Sequence, residues 1–154
     1  MAIKIRPDAF TDEGTNVTSS SGSWYDTNPA SKCTGSASGN TETCIARVKW
    51  ASLTVRNSAV QVRYSLTNNS GTANNARVDY SINDGGAYVT IDSIASGTIT
   101  DKTCSPVVLP QGFDLTNLRV RLVALGSGVA ITQSFEGFDV WVEELAFGGG
   151  AFFV

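Results

Sequence analysis

Side chains that could carry out chemistry are few in this chain of 154 residues, and histidine is absent. That absence excludes Ser-His-Asp and Cys-His catalysis, His-ligated zinc and the usual general base near neutral pH. What remains possible is a Ser-Lys arrangement, or a pair among the carboxylates Asp79, Asp84, Asp139, Glu143 and Glu144. A carboxylate pair would serve glycoside hydrolysis, but no spacing singles one pair out. The sequence therefore predicts a protein that is not an enzyme and has no catalytic residues.

One aromatic side chain stands between carboxylates in a pattern suited to sugar binding. Trp141 lies on the polar face of the last long predicted strand, between Asp139 and Glu143. Its ring would stack on a pyranose while the carboxylates accept hydrogen bonds from sugar hydroxyls. The alternative, which we favour, is that the N-terminal arm or a neighbouring subunit covers Trp141. Trp24 and Tyr25 are either a second stacking platform or, as we favour, an anchor that pins the N-terminal segment to the domain.

The three cysteines, Cys33, Cys44 and Cys104, are an odd number, which argues against a complete disulfide framework. Cys33 and Cys44 bracket a Gly/Ser/Thr-rich segment predicted to be a loop, and a bridge between them would add about 2–3 kcal/mol of stability. The favoured alternative is three reduced thiols in a reducing cytoplasm, with no role assigned to Cys104. No cofactor is expected, because no zinc spacing or D-x-D-x-D-G loop occurs; calcium held by Asp and carbonyl oxygens stays open.

Composition restricts the classes of partner. Charged residues make up 16% of the chain, below the roughly 25% of typical soluble domains. A net charge of −3 argues against nucleic-acid binding, which requires a basic face. No apolar run is long enough to span a membrane. The N-terminal stretch Met1–Pro7 lacks the apolar core of a signal peptide, so no export is expected.

The second half of the chain shows the period-2 alternation of strands with one apolar and one polar face. The segments with this pattern are Ala76–Ile82, Leu118–Ala124 and Phe138–Val142, and earlier Val60–Leu66. Ile45–Thr54 is also predicted to be a strand, but its phase slips between Ile45 and Val48, which permits a bulge. Asp84-Gly85 predicts a two-residue hairpin turn, because Gly supplies positive φ at little cost. Strands recurring between Gly/Asn/Ser turns indicate an all-β fold, an antiparallel β-sandwich of the jelly-roll type.

The two ends of the chain differ from this pattern. Residues 1–21 are expected to form an extended N-terminal arm, residues 22–145 the sandwich, and residues 146–154 a C-terminal tail. Three glycines tether the tail's apolar end, whose candidate contacts are Phe147, Phe152, Phe153 and Val154. The tail either folds back on its own domain or, as we slightly favour, docks on a neighbouring subunit.

Several segments, in this order, carry a resemblance to a known class. They are Trp24-Tyr25-Asp26, the strand pair Ala46–Val55 and Val60–Leu66, the run from Val78 to Gly86, the run from Phe113 to Leu122, and Phe138-Asp-Val-Trp-Val-Glu143. Over residues 22 to 144 the chain resembles galactose-binding-like jelly-roll β-sandwiches, of the kind found in tailed-phage virion proteins and bacterial surface proteins. The class includes carbohydrate-binding modules, capsid decoration proteins and tail-fibre domains.

This resemblance, with the expected lack of export and the tethered tail, predicts a bacteriophage structural protein. We expect a capsid decoration (cement) or head/tail accessory subunit that is made in the host cytoplasm and located in the virion. Its partners would be itself, as a homo-oligomer, and a major capsid or tail protein. The alternative is a carbohydrate-binding module that attaches to a glycan through Trp141 and its neighbours.

Overall fold

A computed structural model describes residues 4–14, 17–19, 33–39 and 42–145. Within these ranges the chain forms fourteen strands and one short 3₁₀ helix, η1 (Leu115–Asn117). The strands are β1 (Lys4–Ile5), β2 (Ala9–Glu13), β3 (Val17–Ser19), β4 (Cys33–Gly39), β5 (Thr43–Lys49), β6 (Thr54–Val55), β7 (Ser58–Asn68), β8 (Ala76–Ser81), β9 (Val89–Ile94), β10 (Gly97–Thr103), β11 (Val107–Val108), β12 (Phe113–Asp114), β13 (Arg119–Leu125) and β14 (Gly128–Glu144).

The strands form two antiparallel sheets that enclose one core. The large sheet has the order β10-β7-β14-β4-β3, with β1 added to β14 and β11 added to β7. The small sheet has the order β2-β5-β13-β8-β9, and β6 pairs with β12 as a separate ribbon. The predicted fold class, an antiparallel β-sandwich of the jelly-roll type, is confirmed.

Alternation along the two longest strands separates the core from the outer face of the large sheet. In β7 the core side chains are Val60, Val62, Tyr64 and Leu66, each 0% exposed, and the residues between them point outward. In β14 a bulge at Phe138, between Gly137 and Asp139, shifts the register against β7. The bulge keeps Val140 and Val142 in the core and Trp141 on the outer side.

The Asp84-Gly85 turn forms as predicted, but the hairpin around it is longer. Both residues have positive φ, and the Gly86 N–H donates to the Asn83 carbonyl at 3.1 Å, which defines a primed turn. The flanking strands, however, pair Tyr80 with Val89, so the turn lies within a longer connection.

The N-terminal region departs from the sequence-based description. The segment between Cys33 and Cys44 was predicted to be a loop; most of it is strand, in β4 and the start of β5. The described parts of the arm are edge strands, because β2 pairs with β5, β3 with β4, and β1 with β14. Residues 21, 22 and 146, where we placed the domain boundaries, lie outside the described residues, so that division stays a prediction.

Candidate functional site: a hydroxyl-lined groove on the large sheet

A groove of about 580 Å³ lies on the outer face of the large sheet. It crosses four adjacent strands, β4, β14, β7 and β10, and most of its lining consists of outward-pointing side chains. Seven of these side chains are hydroxyls and one is a carboxylate: Thr34, Ser36, Ser65, Thr67, Thr98, Thr100, Ser134 and Glu136. In this article the feature is called the hydroxyl groove.

Strand register arranges these side chains in two rows. Ser36 is opposite Ser134, Ser134 is opposite Thr67, and Thr67 is opposite Thr98. The second row runs beside it and contains Thr34, Glu136 and Ser65. Neighbouring strands are about 4.8 Å apart, so each row places polar side chains at intervals of about 4.8 Å across the sheet face.

The groove offers hydrogen bonds in both directions. A Ser or Thr hydroxyl both donates and accepts, whereas an ionised carboxylate only accepts. The Thr67 and Thr98 hydroxyls are 3.3 Å apart, and the Ser65 hydroxyl accepts from the Asp101 N–H at 2.9 Å. A ligand rich in hydroxyl groups, each of which also donates and accepts, matches such a surface.

The floor of the groove depends on a glycine. Gly35 in β4 is directly opposite Phe135 in β14, whose ring is 1% exposed. A Cβ at position 35 would lie 2.2 Å from the ring carbon Cζ of Phe135, so only glycine leaves the ring in its place. The close approach of these two strands brings their outward hydroxyls together.

Beyond the groove the same face becomes charged. The Arg63 guanidinium donates to both carboxylate oxygens of Asp101, at 2.5 and 2.7 Å, and its carbon Cζ lies 5.5 Å from the centre of the Phe138 ring. The hydrogen bonds from Arg63 lower the pKa of Asp101 and outweigh the opposing effect of its desolvation. This ion pair separates the hydroxyl groove from the Trp141 region.

Trp141 is covered from the N-terminal side. Its side chain is on the outer face, yet the residue is only 6% exposed, because the Lys4 ammonium lies 3.7 Å from the ring centre. Asp139 forms ion pairs with Arg6 and, at 3.6 Å, with Lys4, while Glu143 accepts a hydrogen bond from Gln61. Trp141 could stack on a sugar only if Lys4 moved, so its glycan contact stays a prediction that requires that movement.

The other candidate residues are dispersed or lie outside the described residues. Asp79, 1% exposed, accepts from Arg77 and Arg121 on the small sheet, and Asp84 pairs with Arg119. Asp139 and Glu143 lie on the large sheet, and so does the exposed Glu144. The structure therefore does not bring the five carboxylates together. The predicted contacts Trp24, Tyr25, Phe147, Phe152, Phe153 and Val154 all fall outside the described residues.

No disulfide joins Cys33 and Cys44, and all three thiols are reduced and buried. The Cys44 thiol lies 3.0 Å from the carbonyl of Ser36, three residues along β4 from Cys33. Three strand residues span about 10 Å, so the Cys44 thiol lies beside the middle of β4, whereas Cys33 is at the start of that strand. Burial raises the pKa of the Cys33 thiol far above its usual range and, less strongly, that of Cys104.

Among the described residues, no group of three or more His, Cys, Asp or Glu side chains could hold a metal ion. No helix in the same part of the chain is long and apolar enough to cross a membrane. The calcium alternative stays a prediction.

Sequence reasoning missed the hydroxyl groove. The first half of β14, which supplies Ser134 and Glu136, was not predicted as strand, and β4 was assigned to a loop. The available signal was the alternation of Thr34 and Ser36 with the small residues Cys33, Gly35 and Ala37. Small residues facing inward are a weak strand signal, because strand preference is recognised mainly from β-branched and aromatic residues.

No protein-family profile matches the chain, and no curated protein sequence matches it. Solved structures do share its architecture. The N-terminal cellulose-binding domain of Cellulomonas fimi β-1,4-glucanase C is 14% identical, with a TM-score of 0.47, over 92% of this chain and 91% of that one. The CBM32 of AlyQ, solved with 4,5-unsaturated mannuronic acid, is 14% identical, with a TM-score of 0.45, over 96% and 99%. TmCBM61, solved with β-1,4-galactotriose, is 8% identical, with a TM-score of 0.45, over 91% of each chain.

This comparison contradicts the main functional prediction. We expected a virion structural protein, whereas the similar structures named above are carbohydrate-binding domains, and we withdraw the virion assignment. Because every TM-score given is below 0.5, the comparison carries no argument about which ligand this chain binds or where. That argument has to come from the chain's own residues.

Proposed function

We propose that this protein is a non-catalytic glycan-binding domain, and that a saccharide chain lies along the outer face of the large sheet in the hydroxyl groove. The observation that carries the proposal is the groove itself, with seven side-chain hydroxyls and one carboxylate on four neighbouring strands. Sugars present hydroxyl groups at short, regular intervals, and this face offers complementary donors and acceptors at similar intervals.

The dimensions of the face suit an oligosaccharide better than a single sugar ring. From Thr67 to Gln61 the outer face of β7 extends about 20 Å, at roughly 3.3 Å per residue. Hydroxyls occupy one end of this distance, and the Arg63–Asp101 pair follows. Among the residues that the structure describes, Glu136 is the only charged group that lines the groove. A largely neutral lining favours an uncharged glycan over a polyanion.

The test is binding to a panel of neutral and acidic polysaccharides, followed by titration calorimetry with the best ligand. Thr67→Val and Thr98→Val keep the side-chain shape and remove two facing hydroxyls. A neutral hydrogen bond contributes about 0.5–1.5 kcal/mol, so we expect the double variant to bind roughly tenfold more weakly. Thr11→Val, at an exposed position of β2 in the small sheet, is the matched control and should bind normally.

Two results would overturn the proposal. One is a panel in which no polysaccharide binds the folded protein. The other is a ligand whose affinity is the same for the double variant and for the wild type, because that ligand would bind elsewhere. Trp141→Ala is a separate arm: reduced affinity would show that Lys4 leaves the ring when glycan binds.

A further inference from the structure

A second cavity, of about 350 Å³, opens at the side of the sandwich. It lies where β9, an edge strand of the small sheet, approaches β10 and β11 of the large sheet. Apolar groups form much of its wall: Tyr80, Val89, Ile91, Pro106 and Val107. In this article it is called the edge cleft. Small-molecule sites in proteins combine such apolar walls with a few convergent polar groups, at volumes from roughly 300 Å³ upward.

The convergent polar groups of the edge cleft meet at Asp92. The Tyr64 hydroxyl, which belongs to a residue that is 0% exposed, donates to Asp92 from the core. The Lys102 ammonium donates to the same carboxylate oxygen at 2.6 Å, and the Ser93 N–H donates to the other oxygen at 2.9 Å. The carboxylate is thus fixed in position between the two sheets.

The protonation states of these groups are well defined. Burial by itself raises the pKa of Asp92, but the hydrogen bonds from Lys102 and Tyr64 outweigh that effect and lower it, so Asp92 is ionised near neutral pH. Burial, followed by the hydrogen bond to Asp92, raises the pKa of Tyr64, which keeps its proton. Asp92 is therefore a permanent acceptor at the base of the cleft.

Polar capacity remains for a ligand. Tyr80 lines the cleft, and Lys102 uses one of its three N–H groups on Asp92, which leaves two for other partners. The charges of Asp92 and Lys102 cancel, so a charged ligand would be buried without compensation, which is unfavourable. A neutral ligand meets no such penalty.

We infer that the edge cleft is a ligand site, separate from the hydroxyl groove, for a neutral ring with an apolar face and at least one hydroxyl group. The apolar face packs against Tyr80 and the valine side chains, and the hydroxyl group hydrogen-bonds Asp92 or Lys102. A single pyranose ring and a phenol share this chemistry. The ligand of the edge cleft is therefore one small ring, whereas the groove accommodates a chain.

The test observes the methyl groups of Val89, Ile91 and Val107 by NMR while methyl glycosides of galactose, glucose and mannose, and separately phenol, are added to the full chain. We expect these methyl resonances to shift in a saturable manner with one class of probe. Val89→Ser should weaken binding about three- to tenfold, because it removes apolar contact. Val89 is 55% exposed, so the substitution should leave the fold intact.

Val108→Ser is the matched control, because Val108 is 65% exposed on the neighbouring strand and does not line the cleft. Saturable shifts with either the methyl glycosides or phenol support the inference and show whether the ligand is a sugar or a phenol. No saturable shift with any probe overturns it, and so does equal affinity of the Val89→Ser and Val108→Ser variants. The Thr67→Val/Thr98→Val variant should bind these probes normally, so failure of the groove and failure of the cleft are told apart.

Discussion

Replacing Gly35 by Ala should destabilise the protein through one side chain, Phe135. The new Cβ would lie 2.2, 2.5 and 2.9 Å from three carbons of that ring. Ordinary contacts between carbon atoms are about 3.5–4.0 Å, so the ring would have to retreat by more than about 1 Å within a packed core. Overpacking of this kind costs about 1–3 kcal/mol. Loss of chain entropy in the unfolded state offsets about 0.4–1 kcal/mol, which leaves a net destabilisation of at most about 2.6 kcal/mol, with a central value of 1–2 kcal/mol because the clash is severe.

The measurement is the midpoint of thermal and urea unfolding. For a domain of this size, a loss of 1–2 kcal/mol lowers Tm by about 2–8 °C. Ser36→Ala, on the opposite face of the same strand, is the control and should change stability by less than about 0.5 kcal/mol. Phe135→Leu replaces the ring by a shorter side chain. The double variant with Gly35→Ala should therefore lose less unfolding free energy than the sum of the two single losses. A Gly35→Ala variant as stable as the wild type, or strictly additive effects, would refute the reasoning.

Three further outcomes are expected. The pKa of Asp92 is lowered in the folded state, so its contribution to stability is complete above the unfolded pKa of 3.8 and is lost as the pH falls through the lower folded pKa. Below pH 3.8, Tm should therefore fall less steeply for Asp92→Asn than for the wild type. Parallel curves of Tm against pH would contradict this. The three buried thiols should resist alkylation in the native protein and all react after denaturation, as intact mass would show; rapid native labelling would count against their burial. Asp79→Ala should lower the unfolding free energy by about 3–5 kcal/mol, because Arg77 and Arg121 lose a shared buried carboxylate; a loss below about 1 kcal/mol in urea denaturation would disprove that role.

The fold class could be predicted because several segments of the chain alternate strongly. Val120 and Leu122, or Val62 and Leu66, are large apolar residues at even spacing, and each is fully buried in a central strand. The Asp84-Gly85 turn was predictable for a local reason, since both residues adopt positive φ. What a strand signal cannot give is the partner strand. Thus the pairing of β14 with β4 on one side and with β7 on the other, which creates the groove, was not foreseen.

The sequence-predicted contacts lie on the same outer face as the hydroxyl groove but at the opposite end of it, and they stay a prediction. Trp141, Asp139 and Glu143 were chosen because aromatic and charged residues stand out in a chain with few of them. In the folded protein those groups are engaged with residues from β1 and β7, such as Lys4 and Gln61. Sequence distance hides these contacts, because Lys4 is far from Trp141 in the chain and adjacent to it only through the pairing of β1 with β14.

The two ends of the outer face differ in what they can offer a ligand. At the Trp141 end the charges are already paired: Asp139 with Arg6 and Lys4, and Arg63 with Asp101. A ligand there must first displace a protein group. Its binding free energy is then only the difference between the new contact and the contact that it replaces. At the groove end seven side chains are neutral hydroxyls and Glu136 is a carboxylate, and any hydroxyl without a protein partner is left to hydrogen-bond water. A sugar that displaces this water replaces one hydrogen bond by another of similar strength. Affinity at the groove end should therefore depend on how many hydroxyls a glycan aligns with the two rows, which favours an extended chain over a single ring.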